Sequence, residues 1–124
     1  MTDRETVADW VGLYLRAWDR NEPEVLRAMF TRDAEYRYKP YEEPRRGHEA
    51  IIAAWLDGRD EAGDHRFSWE VVAVDEHVAV VHGRTVYSAG AAAGRTYSNL
   101  WVVRFADDGR ASEFTEWWME QPRG

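Results

Sequence analysis

Cysteine is missing from this 124-residue chain. That excludes disulfides, thiolate metal sites and a cysteine nucleophile. Basic charge is also short, with 16 Lys and Arg against 23 Asp and Glu, a net charge of −7. Such a chain suits neither nucleic acid nor an anionic membrane, and no partner of either kind is expected. The nearest approach to a basic patch, Arg45-Arg46, is flanked by Glu42, Glu43 and Glu49 and reads as a solvated turn. No apolar run is long enough to cross a bilayer, and the opening MTDRETVADW carries no basic leader. The cytoplasm is therefore the expected location. His48, His65, His77 and His82 lack ligand spacing on one helix or hairpin face, and no glycine-rich phosphate loop or activated serine is visible. No metal and no cofactor are expected.

Aromatic residues are plentiful instead: seven Trp, six Tyr and four Phe. With 44% apolar residues, the composition is that of a folded globule, and the length suits one domain spanning residues 1–124. Thr2 and Glu5 form a candidate capping box, followed at helical spacing by Val7, Trp10, Val11, Tyr14 and Trp18. Asn21-Glu22-Pro23 ends this helix and starts a second, with Val25, Leu26, Met29 and Phe30 as its apolar face. Asp33 to Tyr38 alternates as a strand, with Ala34, Tyr36 and Tyr38 on one side. A third helix from His48 to Leu56 buries Ile51, Ile52 and Trp55. The charged stretch from Asp57 to His65 reads as a mobile rim. Strands follow at Arg66 to Val74 and His77 to Ser88, joined tightly at Asp75-Glu76, before a final hairpin. Helices come first and a meander of strands after, which is α+β architecture.

The hairpin carries the chemistry. Tyr97, Asn99, Trp101, Val103 and Phe105 alternate onto one face. If Phe105 pairs with Arg110, Trp101 faces Phe114, Asn99 faces Glu116 and Tyr97 faces Trp118. A carboxylate and an amide then meet in an aromatic wall, the makings of a small-molecule pocket. If Ser88 pairs with Arg95 across the Ala-rich loop, Arg84 lies opposite Asn99 and His82 opposite Trp101. One shifted residue flips that row to the other face. In this register Glu116 is a candidate general base and His82, with a reference pKa of ~6.5, a second acid/base. Tyr14 and Tyr38 are candidate hydrogen-bond donors to a carbonyl or enolate. The same residues also read as structure: Arg84, Asn99 and Glu116 as a self-satisfied network, His82 as a packed strand residue, Tyr14 and Trp18 as core. Trp117 and Met119 point away from Trp118 and mark an association surface.

The segments LRAMFTRDAEY, RRGHEAIIAAW and YSNLWVVRFADDGRASEFTEWW, with the Tyr14 helix, resemble the nuclear transport factor 2-like superfamily. That superfamily includes ketosteroid isomerases and SnoaL-like polyketide cyclases. The resemblance implies a cone-shaped, curved antiparallel sheet covered by three N-terminal helices, and homodimers through the sheet face carrying Trp117 and Met119. Tyr14 falls where a ketosteroid isomerase keeps its oxyanion-binding tyrosine. Its general-base aspartate is replaced by Tyr38 and its protonated aspartate by Trp101. Neither the His/Asp pairing of the cyclases nor the Asp-Arg-Asp set of the fold's epoxide hydrolases is recognisable. The reading is a SnoaL-like protein with an aromatic-lined pocket for a small hydrophobic or carbonyl-bearing molecule. Glu116, His82 and Tyr14 are its candidate catalytic groups. Trp18, Tyr38, Trp55, Arg84, Asn99, Trp101 and Trp118 are its candidate ligand contacts. Cofactor-free acid/base catalysis of isomerase, cyclase or dehydratase type is one outcome. A non-catalytic binding or protein-interaction dimer is the alternative.

Overall fold

The computed structural model describes residues 2–57 and 63–122. Residues 58–62, within the charged stretch expected as a rim, lie outside the described part. Helix α1 spans Arg4–Arg20 and opens on Asp3, whose carboxylate accepts from the Thr6 N–H at 2.8 Å. The cap is therefore Asp3 and not the expected Thr2. Thr2 is buried and donates its N–H to the Glu76 carbonyl. Val7, Trp10, Val11, Tyr14 and Ala17 form the buried stripe that the helical period predicts. Asn21 ends the helix in the left-handed region at φ 53°, where a short polar side chain is tolerated.

Pro23 begins helix α2, Pro23–Met29. Phe30, expected on that helix, instead opens strand β1, Phe30–Arg37. The arginine pair expected as a turn forms a two-residue strand, β2 (Arg45–Arg46), on the edge of β1, and Arg46 pairs with Glu35 at 3.0 Å. Helix α3 (His48–Asp57) follows, then β3 (His65–Asp75), β4 (Val78–Tyr87), β5 (Thr96–Phe105) and β6 (Ala111–Glu120). The strands form one curved, unclosed sheet in the order β2-β1-β6-β5-β4-β3. Its pairs are antiparallel except β1 with β6, which run parallel.

Helices and the inner face of the sheet share one core, with Trp10 at its centre. Its ring meets Tyr14, Phe30, Trp101, Phe105 and Phe114 at centroid distances of 5.8 to 6.3 Å. Its indole N–H donates to the Met29 carbonyl at 2.9 Å. A buried tryptophan needs such a partner, and this one ties α1 to the end of α2.

Two registers differ from expectation, with opposite consequences. In the last hairpin Phe105 pairs with Ala111, and a bulge at Arg104 adds a second residue of shift. Trp101 therefore opposes Glu116, and Asn99 opposes Trp118. A shift of two preserves the face, so Asn99, Trp101, Glu116 and Trp118 still share one side. Between β4 and β5 the shift is one residue. Gly83 opposes Asn99, Arg84 opposes Ser98 and His82 opposes Leu100. That odd shift turns Arg84 and His82 onto the outer face. Ala79, Val81, Gly83 and Thr85 face the core in their place. The connection from β3 to β4 is also displaced by one, with Asp75 paired to Val78 and Glu76 at φ 54°.

Candidate functional site

A cavity of about 290 Å³ lies where α1, β1 and strands β4 to β6 converge. Tyr14 and Trp18 reach it from α1, and Tyr38 from just beyond β1. Asn99 and Tyr97 come from β5, Glu116 and Trp118 from β6, and Thr85 and Tyr87 from β4. Ala92 of the Ala-rich loop completes the lining.

Glu116 is the one carboxyl among the described lining residues, and its chemistry follows from what holds it. The Asn99 side-chain N–H donates to Glu116 Oε2 at 2.7 Å, and the Trp101 indole N–H donates to the same oxygen at 2.9 Å. Thr85 Oγ1 donates to Asn99 Oδ1 at 2.8 Å, which turns the amide so that its NH₂ points at the carboxylate. Oε1 has no hydrogen-bond partner among the described residues, and no cation pairs with the carboxyl there. Burial pushes the Glu116 carboxyl above the usual carboxylate range, and the Trp101 and Asn99 hydrogen bonds pull partly the other way. The residue as a whole is partly exposed, so the desolvation acts at its carboxyl end.

Beside it lies a pair of phenols. Tyr14 and Tyr36 are buried, and their phenols influence each other electrostatically. Burial, reinforced by the nearby Glu116 charge, holds both hydroxyls well above the ordinary tyrosine range. Both are neutral donors at any physiological pH.

Of the residues singled out from sequence, Glu116, Tyr14, Trp18, Tyr38, Asn99 and Trp118 meet around the cavity. Trp101 is buried in the core and reaches the site only through its indole N–H. Trp55 packs on Tyr14, ring centroids 4.9 Å apart, outside the lining. His82 and Arg84 are on the opposite face of the sheet. His82 Nε2 lies 3.2 Å from Ser98 Oγ, and both His82 and Arg84 are exposed. The expected Arg84–Asn99–Glu116 row is thus Thr85–Asn99–Glu116, with no cation among the described residues.

Thr85, Tyr36 and Tyr87 were missed as site residues. The clue to Thr85 was Gly83. A Cβ there would collide with the tip of the Phe67 ring, which stacks on Trp101 at 5.1 Å and 12°. Glycine inside a strand marks a close approach, and an inward Gly83 carries Thr85 inward with it. Among the described residues no cluster of His, Asp or Glu has the arrangement of a metal site. No described helix is long and apolar enough to cross a membrane.

A curved, unclosed sheet wrapped over helices, with a cleft between them, defines the structural class: the nuclear transport factor 2-like α+β fold. Within it, the sequence profile of the SnoaL-like domain matches residues 11–114, and the chain belongs to that family. No curated protein matches it by sequence. It is similar to an NTF-2-like protein of unknown function from Burkholderia xenovorans, with a TM-score of 0.72 and 12% identity, covering 97% of this chain and 88% of that one. It is equally close in shape to a candidate ketosteroid isomerase from Kribbella flavida, TM-score 0.72 at 18% identity, covering 100% and 85%. An NTF-2-like protein of unknown function from Silicibacter pomeroyi aligns with a TM-score of 0.62 at 21% identity, covering 98% and 100%. At these identities the likeness speaks for the fold alone.

Proposed function

We propose that the cavity beside Glu116 binds a small hydrophobic or carbonyl-bearing molecule and that Glu116 moves a proton on it, without a cofactor. The reaction would be of isomerase, cyclase or dehydratase type. One observation carries this reading: a desolvated carboxyl beside a cavity, with both donors on Oε2 and no described residue bonded to Oε1. The two N–H donors require Oε2 to remain an acceptor, so a proton comes and goes at Oε1. A carboxyl raised by burial is better matched to proton transfer near neutral pH than an ordinary one. The Tyr14 hydroxyl at the cavity wall suits a carbonyl oxygen on which negative charge develops. The ketosteroid isomerase description of one fold neighbour is of this chemical type. By the resemblance read from the sequence, Tyr38 and Trp101 stand where a ketosteroid isomerase keeps its two aspartates, so the base would be supplied by Glu116 from a different strand.

A direct test can begin before the substrate is identified. Exchange of α-protons for deuterium in a panel of small ketones and β-dicarbonyls is followed by NMR with wild type and Glu116→Gln. Loss of a general base should slow exchange by about 10²-fold or more. Equal rates would remove Glu116 as the base.

The non-catalytic alternative has its own support, since the Thr85–Asn99–Glu116–Trp101 chain pins the carboxylate. On that reading ligands bind equally to both proteins and neither accelerates exchange. We further propose that two copies pair through the outer face of β5 and β6, where Leu100, Trp117 and Met119 are exposed side by side.

A further inference from the structure

The walls of the cavity bear on the charge of what enters it. Six of its lining residues are aromatic: Tyr14, Trp18, Tyr38, Tyr87, Tyr97 and Trp118. Neighbouring rings stand nearly at right angles, Tyr14 to Trp18 at 90°, Tyr87 to Tyr97 at 87° and Tyr97 to Trp118 at 79°. Adjoining walls of a box meet in this way. Aromatic faces carry negative electrostatic potential and attract cations. One ring already holds an ammonium: Lys39 Nζ lies 5.5 Å from the Trp118 ring centroid. Among the described lining residues, Glu116 supplies a carboxyl and no Lys, Arg or His is present. Among the described lining residues an anionic ligand would therefore meet a carboxyl and electron-rich rings, with no cationic side chain.

We propose that the cavity takes a small molecule bearing a protonated or quaternary amine, its cationic nitrogen boxed by these rings and paired with Glu116. The proposal rests on the reading of this cavity as a ligand site, and it is independent of whether Glu116 transfers a proton. A desolvated carboxyl without a counter-charge is costly, and a ligand cation supplies the missing charge at Oε1.

The test compares choline with 3,3-dimethylbutan-1-ol, which has the same shape but no charge. Binding of each to the full chain is measured by calorimetry and by quenching of tryptophan fluorescence. Choline should bind about tenfold more tightly or better, the scale of a desolvated cation–π contact. Glu116→Gln should erase most of that preference. Trp118→Leu should reduce it and Trp118→Phe retain it, which separates an aromatic face from mere bulk. Trp118 is 44% exposed, so these replacements leave the core alone. Circular dichroism checks that each variant is folded.

Equal or tighter binding of the neutral alcohol overturns the proposal while leaving the ligand-site reading intact. Binding of neither probe overturns it too, and only then is the ligand-site reading weakened with it. A preference for choline that survives both Glu116→Gln and Trp118→Leu also overturns it, because the cation then sits elsewhere.

Discussion

Thr85 does not touch Glu116, yet it decides how Glu116 is held. Its hydroxyl donates to Asn99 Oδ1, which leaves the amide NH₂ for the carboxylate. Thr85→Val keeps the shape and deletes the donor, stranding a buried carbonyl oxygen. The expected cost is ~1–3 kcal/mol, read by chemical denaturation. Arg84→Ala, one residue away on the exposed face, should change stability by no more than about 0.5 kcal/mol. Had Arg84 faced the cavity, removing it would have stranded Glu116, so the pair of variants tests the register as well. Glu116 itself should leave a signature in the pH dependence of stability. Its carboxyl is raised above the ordinary 4.5, chiefly by burial. Above 4.5 the unfolded chain releases this proton while the folded protein still holds it, so stability falls as pH rises through the raised value. Glu116→Gln removes that slope. Thermal midpoints should therefore favour the variant increasingly from about pH 4.5 upward. Parallel curves would mean that the carboxyl is not desolvated.

At the scale of elements, Gly83 is the tightest constraint on the sheet. Phe67 of β3 covers it and stacks on Trp101 of β5, so three strands interlock through one missing side chain. Gly83→Ala should cost ~1–3 kcal/mol of overpacking, seen as a lower denaturation midpoint. The displaced ring would also press on the indole that donates to Glu116, so ligand binding should weaken with it. The same residue marks where the sequence stopped being readable. Helices α1 and α3 were legible because Val7, Trp10, Val11 and Tyr14, or Ile51, Ile52 and Trp55, fall at the three- and four-residue spacings of one helix face. Strand β4 reads equally well with either face inward until something fixes its register. The loop that fixes it, AGAAAG, has left-handed glycines at Gly90 and Gly94 and no side-chain pattern to betray where pairing begins. Pairing in fact ends at Val86 with Thr96. Placing Arg84 and His82 outward would have been the plainer choice, since charged groups avoid a core. The last hairpin fared better although it was misaligned by two. Its bulge and its longer turn moved the partners without changing sides, and Glu116 stayed with Asn99.

At the scale of the molecule, the sheet separates the cavity from an exposed apolar patch. Its inner face holds the cavity. Its outer face carries Leu100 opposite Trp117 and Ser98 opposite Met119, with His82 and Arg84 on the next strand over. Trp117 is 43% exposed and Met119 73%, a large apolar area to leave in water on a chain this small. A partner of the same sequence would cover it twice over, because a two-fold axis presents the patch to itself. The symmetry also sharpens the test. Any charge introduced near the axis meets its own copy, so one substitution places two like charges in a desolvated contact. Sedimentation of wild type should give a dimer at micromolar concentration, and Trp117→Glu a monomer that is still folded. Trp118→Leu, one residue along but on the cavity side, should leave the dimer intact while weakening the ligand. If Trp117→Glu sediments like wild type, the outer face is not the interface. If Trp118→Leu breaks the dimer, the two faces are not independent.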